Sequence, residues 1–253
     1  MIGPIGLHGG GEYEAGDEPF LDALIVAARA AARARQNGSS PEGDAVRIVI
    51  LPTAAARGRP DRAAAHGIVA LNGRADPHDR PIRVDVATIV DAETASDPAN
   101  VELLESADLI HLPGGDPDLI PLILAGTPAL TAILAARERG AVVAGASAGG
   151  MALAEWSWTP AGGVRGLGFV AGLAVVPHYD DVRRTAWQQA LDRLAPGGIG
   201  YLGLDERTGA ISDGDTPGGR RWHIAGPGAA YWFPRGAHRP TIARHGQTLD
   251  IPG

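Results

Sequence analysis

Ser147 stands in the stretch Ala141-Val142-Val143-Ala144-Gly145-Ala146-Ser147-Ala148-Gly149-Gly150. A run of small and β-branched apolar residues meets Gly-x-Ser-x-Gly, and a helix-forming segment, Met151-Ala152-Leu153-Ala154-Glu155, follows. This is the pattern of a buried strand that breaks sharply into a helix with a serine at the corner. The turn is tight, and side chains on either side of the serine would clash, so glycines flank it. The geometry pushes the hydroxyl clear of the backbone. It also places neighbouring N–H groups at a helix N-terminus, where negative charge is favoured. Ser147 is therefore the candidate nucleophile. The same motif also arises by chance in a chain with 36 glycines, and then marks only a tight turn.

A serine needs a base. The chain has eight histidines: His8, His66, His78, His111, His178, His223, His238 and His245. His66 and His78 fall in a helix and a polar loop. His238 and His245 sit among charged residues near the C-terminus, and His223 falls inside a late strand. His8 and His111 lie near strand ends. His178 directly follows the apolar run Leu173-Ala174-Val175-Val176-Pro177, so it projects over the carboxyl edge where Ser147 also sits. That position makes His178 the candidate general base; the ordinary alternative is a structural histidine. The stretch Gly203-Leu204-Asp205-Glu206-Arg207-Thr208 offers two carboxylates that could orient an imidazole, or merely a polar turn.

The elements that must hold these groups alternate along the chain. Strands are expected over Ile2–Leu7, Val46–Leu51, Ile82–Val90, Asp108–Leu112 and Leu173–Val176. Helices are expected over Pro19–Gln36, Pro60–Leu71, Val101–Ala107 and Asp181–Leu194, and over Leu119–Gly140 with a break near Gly126-Thr127-Pro128. Asn37–Asp44 reads as a loop. From Ile199 onward, short strands alternate with Gly/Asp/Pro turns, an antiparallel extension of the same domain: Tyr201–Leu204, Gly209–Ser212, Trp222–Ala225, Ala229–Phe233 and Thr241–Ala243. Strand–helix alternation predicts an α/β fold, a mostly parallel sheet flanked by helices, with ligands beyond the carboxyl ends of the strands. The glycine-rich breaks after the first strand, after Leu112 and after Gly145 then fall around one pocket. The whole chain, 1–253, reads as one domain.

Composition narrows the chemistry further. The absence of cysteine removes disulfides, thiolate metal sites and a cysteine nucleophile. No histidine pair shows ligand spacing on one element, so neither metal nor cofactor is expected. A net charge of −7 disfavours nucleic acid as a partner. No segment reads as a leader or a membrane span, so a cytoplasmic protein with no membrane partner is expected.

Five blocks in order resemble peptidase family S51, which includes dipeptidase E and cyanophycinase. They are Ile48–Ala54, Leu112-Pro113-Gly114-Gly115-Asp116, Gly145–Gly150, Val176-Pro177-His178-Tyr179 and Gly203–Ala210. The resemblance implies a fold like the class I glutamine amidotransferases, with serine in place of cysteine. It implies Ser147 as nucleophile, His178 as base and then acid, and Glu206 as the orienting carboxylate, with Asp205 as runner-up. The N–H groups of Gly115 and Ala148 would form the oxyanion hole. Arg183, Arg184 and Asp116 would contact substrate, a short peptide that the resemblance implies contains aspartate. Pro177 and Trp187 depart from the cyanophycinase pattern, which argues against cyanophycin itself. A homodimer is open as the assembly.

Two other readings compete. An α/β-hydrolase esterase would also carry Gly-x-Ser-x-Gly, and His8-Gly9-Gly10-Gly11 resembles a lipase oxyanion motif. That fold places its histidine last, whereas the best order here is serine, histidine, carboxylate. A non-catalytic binding module could occupy the same fold.

Overall fold

A computed structural model of the protein describes residues 2–35, 45–76, 78–159, 162–180, 184–195, 197–213 and 219–252. The first part alternates strands and helices: β1 Ile5–His8, α1 Glu18–Arg35, β2 Val46–Ile50, α2 Pro60–Asn72, β3 Ile82–Val86, α3 Pro98–Ser106, β4 Leu109–Leu112, α4 Leu119–Leu124, α5 Pro128–Glu138, β5 Val142–Ala146 and α6 Ala148–Leu153. Then follow β6 Ala154–Thr159, β7 Gly162–Arg165, β8 Val170–Val176, α7 Arg184–Leu194, β9 Gly200–Leu204, β10 Gly209–Ser212, β11 Arg220–Ala225, β12 Ala229–Phe233, β13 Thr241–Arg244 and β14 Thr248–Ile251. The loop expected over Asn37–Asp44 lies outside the described residues.

Local chemistry sets the boundaries. Pro60, Pro98 and Pro128 open α2, α3 and α5, where a missing N–H costs nothing. Asp97 and Thr127 cap α3 and α5 by accepting the N–H groups of Ala99 and Leu130. The break expected at Gly126–Pro128 separates α4 from α5, with Gly126 at φ 75°.

The larger sheet has the order β14-β11-β10-β1-β5-β4-β2-β3. Strands β1, β5, β4, β2 and β3 are parallel, while β10, β11 and β14 extend the sheet antiparallel. Successive side chains on a strand face opposite ways. Val142 and Ala144 therefore pack with Phe20, Leu24 and Leu71 from α1 and α2, while Val143 packs with Leu104, Ile133 and Met151 from α3, α5 and α6. Helices thus cover both faces of the parallel part.

A second sheet, β13-β12-β9-β8-β6-β7, holds the rest of the strands. Here the structure departs from expectation. The late strands divide between the two sheets, and β6, β8 and β9 pair in parallel. The helix expected through Glu155 ends at Leu153, and Ala154–Thr159 instead forms β6, which buries Trp156. The hairpin β6–β7 and the last strand β14 were not expected. One hydrophobic cluster nevertheless joins the sheets, since Leu7 and Val143 share it with Leu173, Leu202 and Trp232. No helix among the described residues is long and apolar enough to cross a membrane.

Candidate active site

Ser147 follows the last residue of β5 and precedes α6. Its backbone sits at φ 47°, ψ −113°, a conformation that side-chain-bearing residues rarely adopt. The corner is held at both ends: the Ser147 N–H donates to His8 O at 2.9 Å, and its carbonyl accepts the Met151 N–H at 2.9 Å. The flanking glycines are needed for close approach. A Cβ on Gly149 would fall 2.0 Å from Leu112 O, and one on Gly145 would fall 2.3 Å from the Gly149 carbonyl carbon. The sequence thus produces a serine displayed on strained backbone between β5 and α6.

His178 and Glu206 come from the second sheet. Strands β8 and β9 run parallel with Val176 opposite Gly203, so the residues just beyond them emerge side by side. His178 Nε2 lies 3.0 Å from Ser147 Oγ, and its Nδ1 lies 2.7 Å from Glu206 Oε1. A carboxylate can only accept, so the neutral imidazole carries its proton on Nδ1 and leaves the Nε2 lone pair for the serine hydroxyl. His178 also has positive φ, 50°. Its N–H donates to Gly9 O at 2.7 Å, and Arg207 N–H donates to Gly10 O at 2.7 Å. The loop after β1 therefore ties the histidine and glutamate turns to the sheet that bears the serine.

Asp205 faces elsewhere. It is buried, accepts the Ala229 N–H at 2.9 Å through Oδ2, and lies 3.4 Å from the Tyr231 hydroxyl. Burial raises its pKa, with the Ala229 N–H acting in the opposite direction. Asp180, which sequence inspection passed over, accepts the Glu206 N–H at 3.0 Å and holds that turn. Its signal was an aspartate two residues beyond the histidine, at a place where chain direction changes.

The loop Pro113–Asp116 lies against the serine. A Cβ on Gly114 would fall 3.2 Å from Ser147 Cβ and 2.9 Å from Glu12 Oε1. The Gly114 N–H donates to that same oxygen at 2.7 Å. Asp116 turns the other way: its N–H donates to Ala54 O, and its carboxylate pairs with Arg57 at 3.0 Å. Glu12 is a second residue that sequence reasoning missed, although the His8–Glu12 stretch was visible as a strand end.

The remaining histidines near strand ends are structural. His8 is fully buried, stacks on Phe20, and has Nε2 2.8 Å from Asp17 Oδ1. His111 Nδ1 accepts the Tyr13 hydroxyl at 2.7 Å. Burial holds the His111 pKa down at about 4, and it pushes Tyr13 well above an ordinary phenol, so both stay neutral. Arg183 lies outside the described residues. Arg184 opens α7, is exposed, and among the described residues makes no hydrogen bond or ion pair with Ser147, His178 or Glu206.

The model of peptidase family S51 matches residues 82–216, a span that includes Ser147, His178 and Glu206. The chain belongs to peptidase family S51. The S51 chain is also similar to a solved peptidase from an acI-B1 Actinobacterium, at 26% identity and a TM-score of 0.76, over 99% of this chain and 98% of that one. A candidate peptidase E from Listeria monocytogenes EGD-e shares the fold at 15% identity and a TM-score of 0.54, over 96% and 99% of the two chains. No curated protein matches the sequence. Membership makes this chain a serine-type peptidase, a hydrolase of peptide bonds.

Proposed function

We propose that this S51 peptidase cleaves short, aspartate-containing peptides in the cytoplasm through an acyl-enzyme on Ser147. The hydrogen-bonded line Ser147–His178–Glu206, at 3.0 and 2.7 Å, carries this reading. Ser147 Oγ attacks the scissile carbonyl carbon as its proton passes to His178 Nε2. Glu206 accepts the Nδ1 proton's hydrogen bond and stabilises the imidazolium without taking the proton. The tetrahedral oxyanion receives the N–H groups of Gly115 and Ala148. As the first residue of α6, Ala148 has no acceptor for its N–H inside the helix. His178 then protonates the leaving amine as the C–N bond breaks. Water, deprotonated by the same imidazole, releases the acyl group and restores the hydroxyl.

Chain order supports the peptidase over the esterase. His8 is held beside Asp17, and the base candidate precedes the carboxylate candidate. The aspartate preference rests on the likeness of the five sequence blocks to dipeptidase E and cyanophycinase. A dipeptide library containing α- and β-aspartyl bonds, read by mass spectrometry, tests the activity. Cleavage by the native protein, its loss in Ser147→Ala, and fluorophosphonate labelling confined to native Ser147 are expected. Unchanged cleavage by Ser147→Ala would end the proposal.

A further inference from the structure

A cavity of about 600 Å³ is lined by the same Pro113–Asp116 loop that approaches the nucleophile. Pro113, Gly115 and Asp116 form one wall, and the segment from Ala54 to His66 forms the other. Gly114 lies against Ser147 and the next residue, Gly115, lines the cavity, so cavity and nucleophile share one loop. This volume falls in the range of small-molecule sites and is large enough for an amino-acid residue with its charged groups.

The charges in the cavity are ordered. Glu12 lines the cavity beside the loop, its Oε1 held by the Gly114 N–H. Arg57, Arg59 and Arg62 line the opposite wall. Arg57 pairs with Asp116 at 3.0 Å and Arg59 with Asp61 at 3.4 Å; Arg57, Arg59 and Asp61 are well exposed and Asp116 is half-buried. Pairs of that kind are weak and exchange readily for a better partner. Arg62 has no carboxylate partner among the described residues. Guanidinium groups bind a carboxylate through two parallel N–H bonds, which suits a planar ligand group better than water does.

We infer that this cavity receives a carboxylate of the substrate peptide, read by Arg57, Arg59 and Arg62. Glu12 repels that carboxylate from its own part of the cavity and offers its second oxygen to the peptide's ammonium group. The inference rests on the peptidase reading for the position of the scissile carbonyl. The carboxylate can come from an acidic side chain or from the peptide's C-terminus, since the chemistry is the same.

Calorimetric titration of the Ser147→Ala protein with Asp-Ala, Asn-Ala and Asp-Ala amide tests this without turnover. Removal of one carboxylate is expected to weaken binding at least tenfold. Weakening with Asn-Ala identifies the side chain as the source, and weakening with the amide identifies the C-terminus. Combined Arg57→Ala, Arg59→Ala and Arg62→Ala replacement should abolish the difference, and Arg62→Ala alone should reduce it. Thermal denaturation checks the combined variant; should it fail to fold, Arg62→Ala and Arg57→Gln carry the test. Equal binding of the three peptides, no binding at millimolar concentration, or a preference that survives the replacements would overturn the inference. So would a preference removed by Arg184→Ala instead. Failure of the peptidase reading is seen separately: a wild-type protein that cleaves none of these peptides, while Ser147→Ala binds them with the arginine-dependent preference, loses the activity and keeps the pocket.

Discussion

Gly10 and His178 are in contact through the absence of a side chain. A Cβ on Gly10 would fall 2.3 Å from Cε1 of the imidazole, and Gly10 itself sits at φ 100°. The ring that faces Ser147 thus rests on bare backbone of the loop after β1. Gly10→Ala should push the ring off line and strain the loop as well. A displacement of about 1 Å at a reacting group costs about 100-fold in rate. A loss of that size in kcat is expected, measured against thermal denaturation to separate it from unfolding.

The two neighbouring carboxylates should separate by function. Glu206→Gln offers an amide where the Nδ1 proton needs a carboxylate, and should lower kcat by about three to four orders of magnitude. Asp205→Asn should leave kcat within about threefold, because Asp205 faces Ala229 and Tyr231. Steady-state kinetics on one peptide decides the matter, and the reverse ranking would transfer the orienting role to Asp205.

The backbone at Ser147 stores strain that glycine would release. A side chain in so sparsely populated a conformation costs about 1–3 kcal/mol, of which glycine's greater freedom in the unfolded chain offsets about 1 kcal/mol. The net gain, up to about 2 kcal/mol, should make Ser147→Gly melt above Ser147→Ala, which keeps the strain, by up to about 8 °C. Calorimetric melting of the two inactive proteins provides the comparison.

His111 should make the protein acid-sensitive. Its folded pKa of about 4 lies below the ordinary 6.5, because burial beside Tyr13 disfavours the charged ring. The unfolded chain therefore binds more protons than the folded one between those values. Stability should be intact above pH 6.5, fall as pH drops toward 4, and show no further loss from this group below that. The total is about 3 kcal/mol. Urea unfolding across this range should show a smaller acid loss for His111→Gln than for the wild type.

Part of the candidate site was legible in the sequence alone. Gly145, Ser147 and Gly149 specify a sharp strand-to-helix corner through sterics that act over five residues. Alternating apolar runs marked most strands of the parallel sheet, and prolines and Gly126 marked the helix boundaries. The second sheet was less legible. Strand β7 begins Gly162-Gly163, with no side chains to display a period of two, and Trp156 and Trp158 could be read into a helix as easily as into a strand.

Local sequence determined that a serine would stand at a glycine-flanked corner, because turn sterics and side-chain periodicity are short-range properties. Position at a strand end pointed to His178, but which carboxylate reaches the imidazole, and what else surrounds the serine, was decided by tertiary structure. The parallel register of β8 and β9 brings Glu206 rather than Asp205 to the imidazole, the loop at Gly9–Glu12 fastens the two sheets together, and the segment at Arg57–Arg62 closes a charged cavity beside Gly115. Those meetings join positions tens to more than a hundred residues apart. They depend on strand order and crossover, which no local pattern encodes.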